Sequence, residues 1–113
     1  MLRSATPAAA AADSAPVFAA LGDETRLRLV SRLSSDGPMS IAKLTAGFAI
    51  TRQAITKHLR VMEAAGLVRR SERGRESIWR LEQKRLADAR RHLQAISAQW
   101  DETLGRLRSF VER

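Results

Sequence analysis

The segment from Gln83 to Glu112 contains no proline and one glycine, Gly105. Its apolar residues Leu86, Ala89, Leu93, Ile96, Trp100, Leu104, Leu107 and Val111 recur at steps of 3, 4, 3, 4, 4, 3 and 4. That spacing is close to a heptad seam. It predicts one long helix of roughly 40 Å at 1.5 Å per residue. The chain has 113 residues, enough for one small domain with a modest core and too few for a second globular unit. A seam this long exceeds what the other helices of so small a domain cover. Part of it is therefore expected to bury against a second copy of the chain, through Leu86, Leu93, Ile96, Trp100, Leu104, Leu107 and Val111. Trp100 and Phe110, large apolar groups far along the helix, favour that arrangement over a helix folded back on its own domain. Residues 83–113 are read as a dimerisation helix.

The formal charge is +8. Self-repulsion of that size opposes compaction, and nucleic acid is the commonest polyanionic partner of a small basic domain. The chain has no cysteine, so disulfides, thiolate metal sites and thiol switches are excluded. No apolar run approaches the roughly 20 residues that span a bilayer. The start, "MLRSATPAAAAADSAP", lacks the Leu/Val/Phe-rich centre of a signal peptide. It reads as a flexible arm over residues 1–15, too poor in large apolar groups to pack. Cytoplasmic residence is expected.

Beyond the arm, residues 16–82 read as one DNA-binding unit. Val17, Phe18 and Leu21 predict a short helix ending near Gly22. Asp23 is placed to cap the next helix, with Glu24 at the positive end of its dipole. Leu27, Leu29, Val30 and Leu33 give that helix a buried stripe, and "SSDGP", Ser34 to Pro38, stops it. Ser40 caps a short helix with Ile41 and Leu44 inward. "GFAI", Gly47 to Ile50, is a tight connection, after which Thr51 caps a helix over 51–65. Gly66 supplies its left-handed stop. Leu67 to Ser71 and Ser77 to Leu81 predict a two-stranded hairpin around Arg73-Gly74, with Ile78, Trp79 and Leu81 as core residues. Two helices joined by a four-residue turn, then a hairpin, is the order of a winged helix-turn-helix. The expected fold class is mostly α with a small β-hairpin and a long C-terminal helix.

The helix over 51–65 divides into two faces. Ile55, Leu59 and Met62 lie at i, i+4 and i+7 and form an inward stripe. Arg52, Gln53, Thr56, Lys57 and Arg60 occupy the other side, where such a helix enters the major groove. Arg bonds guanine bidentately, Gln bonds adenine, and Thr56 meets thymine or phosphate. Thr51 and the free N–H groups at the helix start suit a phosphate. Lys57 and Arg60, further along, suit phosphates better than bases. His58 has two readings, contact with the DNA backbone or packing at the helix edge. The hairpin adds a second footprint, since Arg69, Arg70, Arg73 and Arg75 cluster around its turn over 69–76, as a minor-groove or phosphate contact would need. Glu72 and Glu76 dilute that charge, which keeps a solubilising surface hairpin as the alternative.

"FAALGDETRLRLVSRL", "ITRQAITKHLRVMEAAGLVRR" and "GRESIWRL" resemble the ArsR/SmtB-type bacterial transcriptional repressors, in the same order and spacing, over nearly the whole chain from Val17. The tail "ISAQWDETLGRLRSFVER" looks like the SdpR-type subgroup that lacks metal-binding cysteines. The resemblance implies a homodimer joined through terminal helices that binds a palindromic operator and represses its own operon. Carried over by position, the family's DNA-facing residues fall on Thr51, Arg52, Gln53, Thr56, Lys57 and His58, and its wing contacts on Arg73 and Arg75. The chain departs from the family at Arg52 and Gln53, where many members have Gln and Pro. It also departs at Ala49, where many have Gly and this chain places its glycine at Gly47. Some relatives bind zinc across the dimer near the positions of Asp88 and His92, with Asp101 or Glu102 as further candidates from a partner. One histidine among scattered carboxylates falls short of zinc's four tetrahedral ligands, and no cofactor is expected.

The leading expectation is a homodimeric, sequence-specific repressor of its own or a neighbouring operon; the sequence does not identify what, if anything, releases it from DNA. A non-specific architectural or RNA-binding winged helix is the alternative. An enzyme is not expected: there is no cysteine nucleophile, no histidine with a carboxylate to orient it, and no Gly-rich phosphate loop.

Overall fold

The computed structural model describes residues 7–112. Five helices and three short strands follow in the order α1 (Pro7–Leu21), α2 (Glu24–Asp36), β1 (Met39–Ser40), α3 (Ile41–Thr45), α4 (Arg52–Ala64), β2 (Val68–Arg73), β3 (Glu76–Leu81) and α5 (Gln83–Val111).

The helix ends obey local chemistry. Asp23 caps α2, its carboxylate accepting from the Arg26 N–H at 3.0 Å. Ser40 caps α3 by accepting from the Lys43 N–H, and Thr51 caps α4 by accepting from the Ala54 N–H at 3.1 Å. Each satisfies a backbone donor that the first helical turn leaves orphaned. At the other end of α4, the Leu67 N–H donates to the Met62 carbonyl at 2.9 Å and the Gly66 N–H to that of Glu63 at 3.0 Å. This pair of bonds is a Schellman stop, and it holds Gly66 at φ +79°.

α1 departs from the expected arm. Its helix starts at Pro7 rather than near Val17, so residues 7–15 are helical and only residues 1–6 of the arm lie outside the described residues. Alanine is the strongest helix former, and proline is favoured at a first helical position. Ser14, Val17 and Ala20, three residues apart, are buried, and α1 packs on α5, α2 and α4. That burial holds the helix through Pro16, which has no N–H to complete the helical ladder.

The core gathers Leu29 and Leu33 of α2, Leu44 of α3, Ile55, Leu59 and Met62 of α4, and Leu67, Val68 and Trp79 of the hairpin. Val30 and Ile41 pack against it half-buried. Leu27, expected in the buried stripe of α2, is 49% exposed. It lies two residues from Leu29, on the far side of a helix that turns about 100° per residue. The hairpin gains a strand the sequence did not announce. β1 joins the outer edge of β3 to make a three-stranded antiparallel sheet of order β1-β3-β2, pairing Met39 with Trp79 and Ser40 with Ile78. A two-residue strand has no alternation to betray it. Met39 and Trp79, directly opposed, are both buried. Ile78 and Leu81 are half-buried.

α5 starts as part of this core and leaves it. Ala89 is buried and Leu86 packs on the core. From Leu93 onward the apolar residues are exposed, Trp100 by 61% and Phe110 by 73%. The radius of gyration is 18.3 Å, against about 13 Å for a compact domain of this length. The distal half of α5 makes that difference.

Two outcomes follow from the caps. Gly66→Ala must place a side chain at φ +79° and 3.0 Å from the Arg85 Nε. It should lower stability by about 1–2 kcal/mol in urea unfolding, and an unchanged midpoint would contradict the strained stop. Asp23 has its carboxyl held below the ordinary value of about 3.8, chiefly by the Arg26 N–H bond and then by the charges of Arg26 and His58. Its contribution is therefore complete above the unfolded value and disappears as pH falls through the lower folded one. In acid unfolding over roughly pH 6 to 2, Asp23→Asn should flatten the loss of stability below about pH 4; a curve parallel to wild type would exclude this role.

Candidate nucleic-acid interface

α3 and α4 are joined through Ala46 as one cap and Thr51 as the other, leaving Gly47, Phe48, Ala49 and Ile50 between them. Two arginines of α2 hold this turn from behind. Arg32 Nη1 donates to the Leu44 carbonyl at 3.0 Å, and Arg28 Nη2 to that of Gly47 at 3.4 Å. The Arg28 guanidinium also lies 4.7 Å from the Phe48 ring centroid, within cation–π range. A Cβ on Gly47 would stand 2.7 Å from Arg32 Nη1. Glycine at 47 thus makes room for the guanidinium. Ala49 has no positive φ, so the turn needs no glycine there.

The turn fixes where α4 begins and its stripe fixes which side faces out. Ile55, Leu59 and Met62 are fully buried. On the opposite side, Arg52, Gln53, Thr56 and Lys57 together line one shallow, open concavity. Arg52 and Lys57 make no ion pair among the described residues. Thr56 donates its hydroxyl proton to the Arg52 carbonyl at 2.9 Å, so towards a ligand its oxygen is left as an acceptor. Thr51 Oγ1 is occupied by the cap, which leaves the N–H groups of Arg52 and Gln53 as the free donors of the first turn. Arg60 lies 3.7 Å from Glu63.

His58 stands apart from this group. At about 100° per residue it sits roughly 170° round the helix from the middle of the face formed by Arg52, Gln53, Thr56 and Lys57. Its Nδ1 is 3.3 Å from Arg26 Nη1 and 3.8 Å from the Asp23 carboxylate, both at the start of α2. Of the two sequence readings, the geometry matches packing at the helix edge.

The wing separates its arginines similarly. Arg73 and Arg75 flank Gly74 at the hairpin tip, where φ is +65°, and neither has an ion pair among the described residues. Arg69 is 2.6 Å from Glu82. Arg70 is 3.9 Å from Glu72 and lies over the Trp79 ring at 5.9 Å, while Glu72 also accepts from the Ser77 hydroxyl. Exposed ion pairs are worth at most about 1 kcal/mol, so a phosphate competes with them readily. The tip arginines need no such exchange.

Asp88 pairs with Arg91, and the His92 ring lies 6.4 Å from that of Phe18. Among the described residues no three His, Asp or Glu side chains gather as a metal site would need. No helix among them is long and apolar enough to cross a membrane.

Sequence reasoning did not single out Arg26, Arg28 and Arg32, whose contacts with Ala20, His58, Gly47 and Leu44 span 6 to 32 residues of chain. No periodicity encodes such bonds. For His58 a signal existed in its helical angle, and the family correspondence outweighed it.

Comparison with known proteins bears on this arrangement. Residues 21–71 match the model of a helix-turn-helix domain. The uncharacterized HTH-type transcriptional regulator YuzN of Bacillus subtilis is 42% identical over 65 residues, which are 52% of this chain and 71% of that protein. An HTH-type transcriptional regulator of Mycobacterium tuberculosis is 34% identical over 74 residues, 66% of this chain and 68% of that one. Among solved structures, an ArsR-like transcriptional regulator from Rhodococcus sp. RHA1 superposes with a TM-score of 0.76 at 37% identity, covering 88% of this chain and 92% of that one. On that likeness in sequence and fold, the chain belongs to the ArsR family of winged helix-turn-helix transcriptional regulators.

Proposed function

We propose that the protein is a homodimeric repressor that reads a palindromic operator, controls its own or a neighbouring operon, and falls in the SdpR-like subgroup without metal-binding cysteines. The observation that carries this reading is the outward face of α4, where Arg52, Gln53, Thr56 and Lys57 line one open concavity among the described residues. Arg52 and Gln53 at the helix start are the base readers, through bidentate bonds to guanine and adenine. Lys57 and Arg60, with the free N–H groups behind Thr51, bind phosphates and set register. Arg73 and Arg75 at the wing tip add phosphate or minor-groove contacts, and Arg69 and Arg70 join them by exchanging carboxylate partners for phosphate. An inducer, if the operon needs one, does not act through thiolates.

Dimerisation is supported by the distal seam of α5. Leu93, Ile96, Trp100, Leu104, Leu107 and Val111 all stand exposed on one helix, a larger apolar surface than a monomer ordinarily leaves in water. A second copy covering it would place two α4 helices about one DNA turn apart, roughly 34 Å. Leu86 packs inside its own domain, so the interface begins beyond it. Residues 83–113 thus serve both the domain, through Leu86 and Ala89, and the dimer.

The reading is tested with duplexes recovered by repeated binding from a random-sequence library. Arg52→Ala or Gln53→Ala should relax the recovered sequence at one position per half-site, at a cost of about 1–3 kcal/mol for the preferred duplex. Arg73→Ala should weaken all duplexes alike and lower the slope of log affinity against log salt by about 0.9 for each lost phosphate contact. Equal loss of sequence preference from the wing variant would overturn this division, and a library that yields no shared sequence would favour the non-specific architectural or RNA-binding reading. Trp100→Glu should give monomers in light scattering and weaken binding to the paired site, because each half-site then acts alone. Scattering that still reports a dimer would place the interface elsewhere.

A further inference from the structure

The contacts around His58 describe a device for aiming α4. Arg26 of α2 reaches two other helices at once. Its Nε donates to the Ala20 carbonyl in the last turn of α1 at 2.5 Å, and its Nη1 lies 3.3 Å from His58 Nδ1 on α4. Its own N–H is fixed by the Asp23 carboxylate, which also stands 3.8 Å from His58 Nδ1. The planar guanidinium presents its donors in a rigid fork, so the two bonds hold α1, α2 and α4 in one relative orientation.

Apolar burial alone does not supply that orientation. Ile55, Leu59 and Met62 fix how deeply α4 sits, but hydrophobic attraction is non-directional and tolerates a small roll about the helix axis. A roll of about 10° moves a side-chain tip some 6 Å from the axis by about 1 Å. A bidentate bond to a base edge does not survive such a shift, because hydrogen bonds weaken steeply with distance and angle. A contact between a flexible cation and a phosphate does survive it.

We propose that Arg26 and His58 are a positioning pair that sets the roll of α4, so that they govern sequence preference without touching DNA. This rests on the reading of α4 as the base-reading element. His58 lies on the side of α4 away from Arg52, Gln53 and Thr56, and Arg26 is committed to Ala20 and His58. Neither therefore adds a phosphate contact. In the neutral ring Nδ1 accepts from Arg26, which assigns the proton to Nε2.

The test uses the full chain and four variants, Arg26→Lys, His58→Leu, His58→Asn and the double variant Arg26→Lys/His58→Leu. Affinity is measured by fluorescence anisotropy on the library-selected duplex and on a scrambled duplex of equal length, over a salt series. Lysine keeps the charge but cannot fork between Ala20 and His58, so Arg26→Lys should cut the selected-to-scrambled ratio about tenfold or more. His58→Leu should match it, and His58→Asn, which keeps an acceptor near the Nδ1 position, should restore most of the ratio. The double variant should be no worse than the poorer single one, as coupled partners behave. Salt slopes should not change. A slope lower by about 0.9, a ratio that Arg26→Lys preserves, or additive losses would each overturn the pair. So would a loss that follows only the unfolded fraction in thermal melts of the same variants. The imidazole ¹⁵N spectrum of the free protein tests the bond without DNA: an unprotonated Nδ1 in the neutral ring supports it, and a proton on Nδ1 overturns it. If wild type selects no sequence, the repressor reading fails while this spectrum still judges the pair.

Discussion

Ile55, Leu59 and Met62 have no exposed surface, and their burial decides which side of α4 meets the rest of the domain. Each such side chain contributes roughly 1.5–3 kcal/mol, so three of them are comparable with the whole net stability of a small domain, about 5–15 kcal/mol. Because they recur at i, i+4 and i+7, they commit one face of α4 to the core and leave the opposite face to solvent. The Schellman stop at Gly66 then turns the chain directly into Leu67 and Val68, both buried. The wing is thereby tied to the end of the helix it accompanies. The Glu82 N–H closes the unit by donating to the Leu67 carbonyl at 2.7 Å, just where α5 begins.

The formal charge of +8 resolves into cations with different tasks. Arg26, Arg28 and Arg32 reach backbone carbonyls and rings of neighbouring elements and brace the helix-turn-helix. Arg52, Lys57, Arg73 and Arg75 make no ion pair among the described residues, and they are the ones at the α4 face and the wing tip. A charged group that is neither paired nor packed is held back only by solvation, which an incoming phosphate replaces through counterion release. The chain thus separates arginines bonded within the helix-turn-helix from those left open on its outer face.

What the sequence reveals and what it hides divide by range. The caps at Asp23, Ser40 and Thr51 and the stop at Gly66 involve partners within five residues, and residue type alone announces them. The inward stripe of α4 and the length of α5 follow from periodicity. β1 escaped because its two residues are defined by pairing with β3, some 39 residues further on. The early start of α1 escaped because alanine and serine look like linker until α5 is there to bury Ser14 and Val17. Leu27 misled because leucine is counted as core by type, whereas its angle on α2 points it outward. The outward polar face of α4 follows from periodicity, whereas the contacts of Arg26, Arg28 and Arg32 do not, since their bonds join residues that only the fold brings together.

The central claim is that the α4 face discriminates among DNA sequences rather than merely binding DNA. A competition titration tests it most directly: a labelled library-selected duplex is displaced by itself or by random-sequence duplex at about 0.15 M salt. The account predicts that random duplex is needed in an excess of about a thousandfold or more. Displacement at nearly equal concentrations of the two competitors would contradict it.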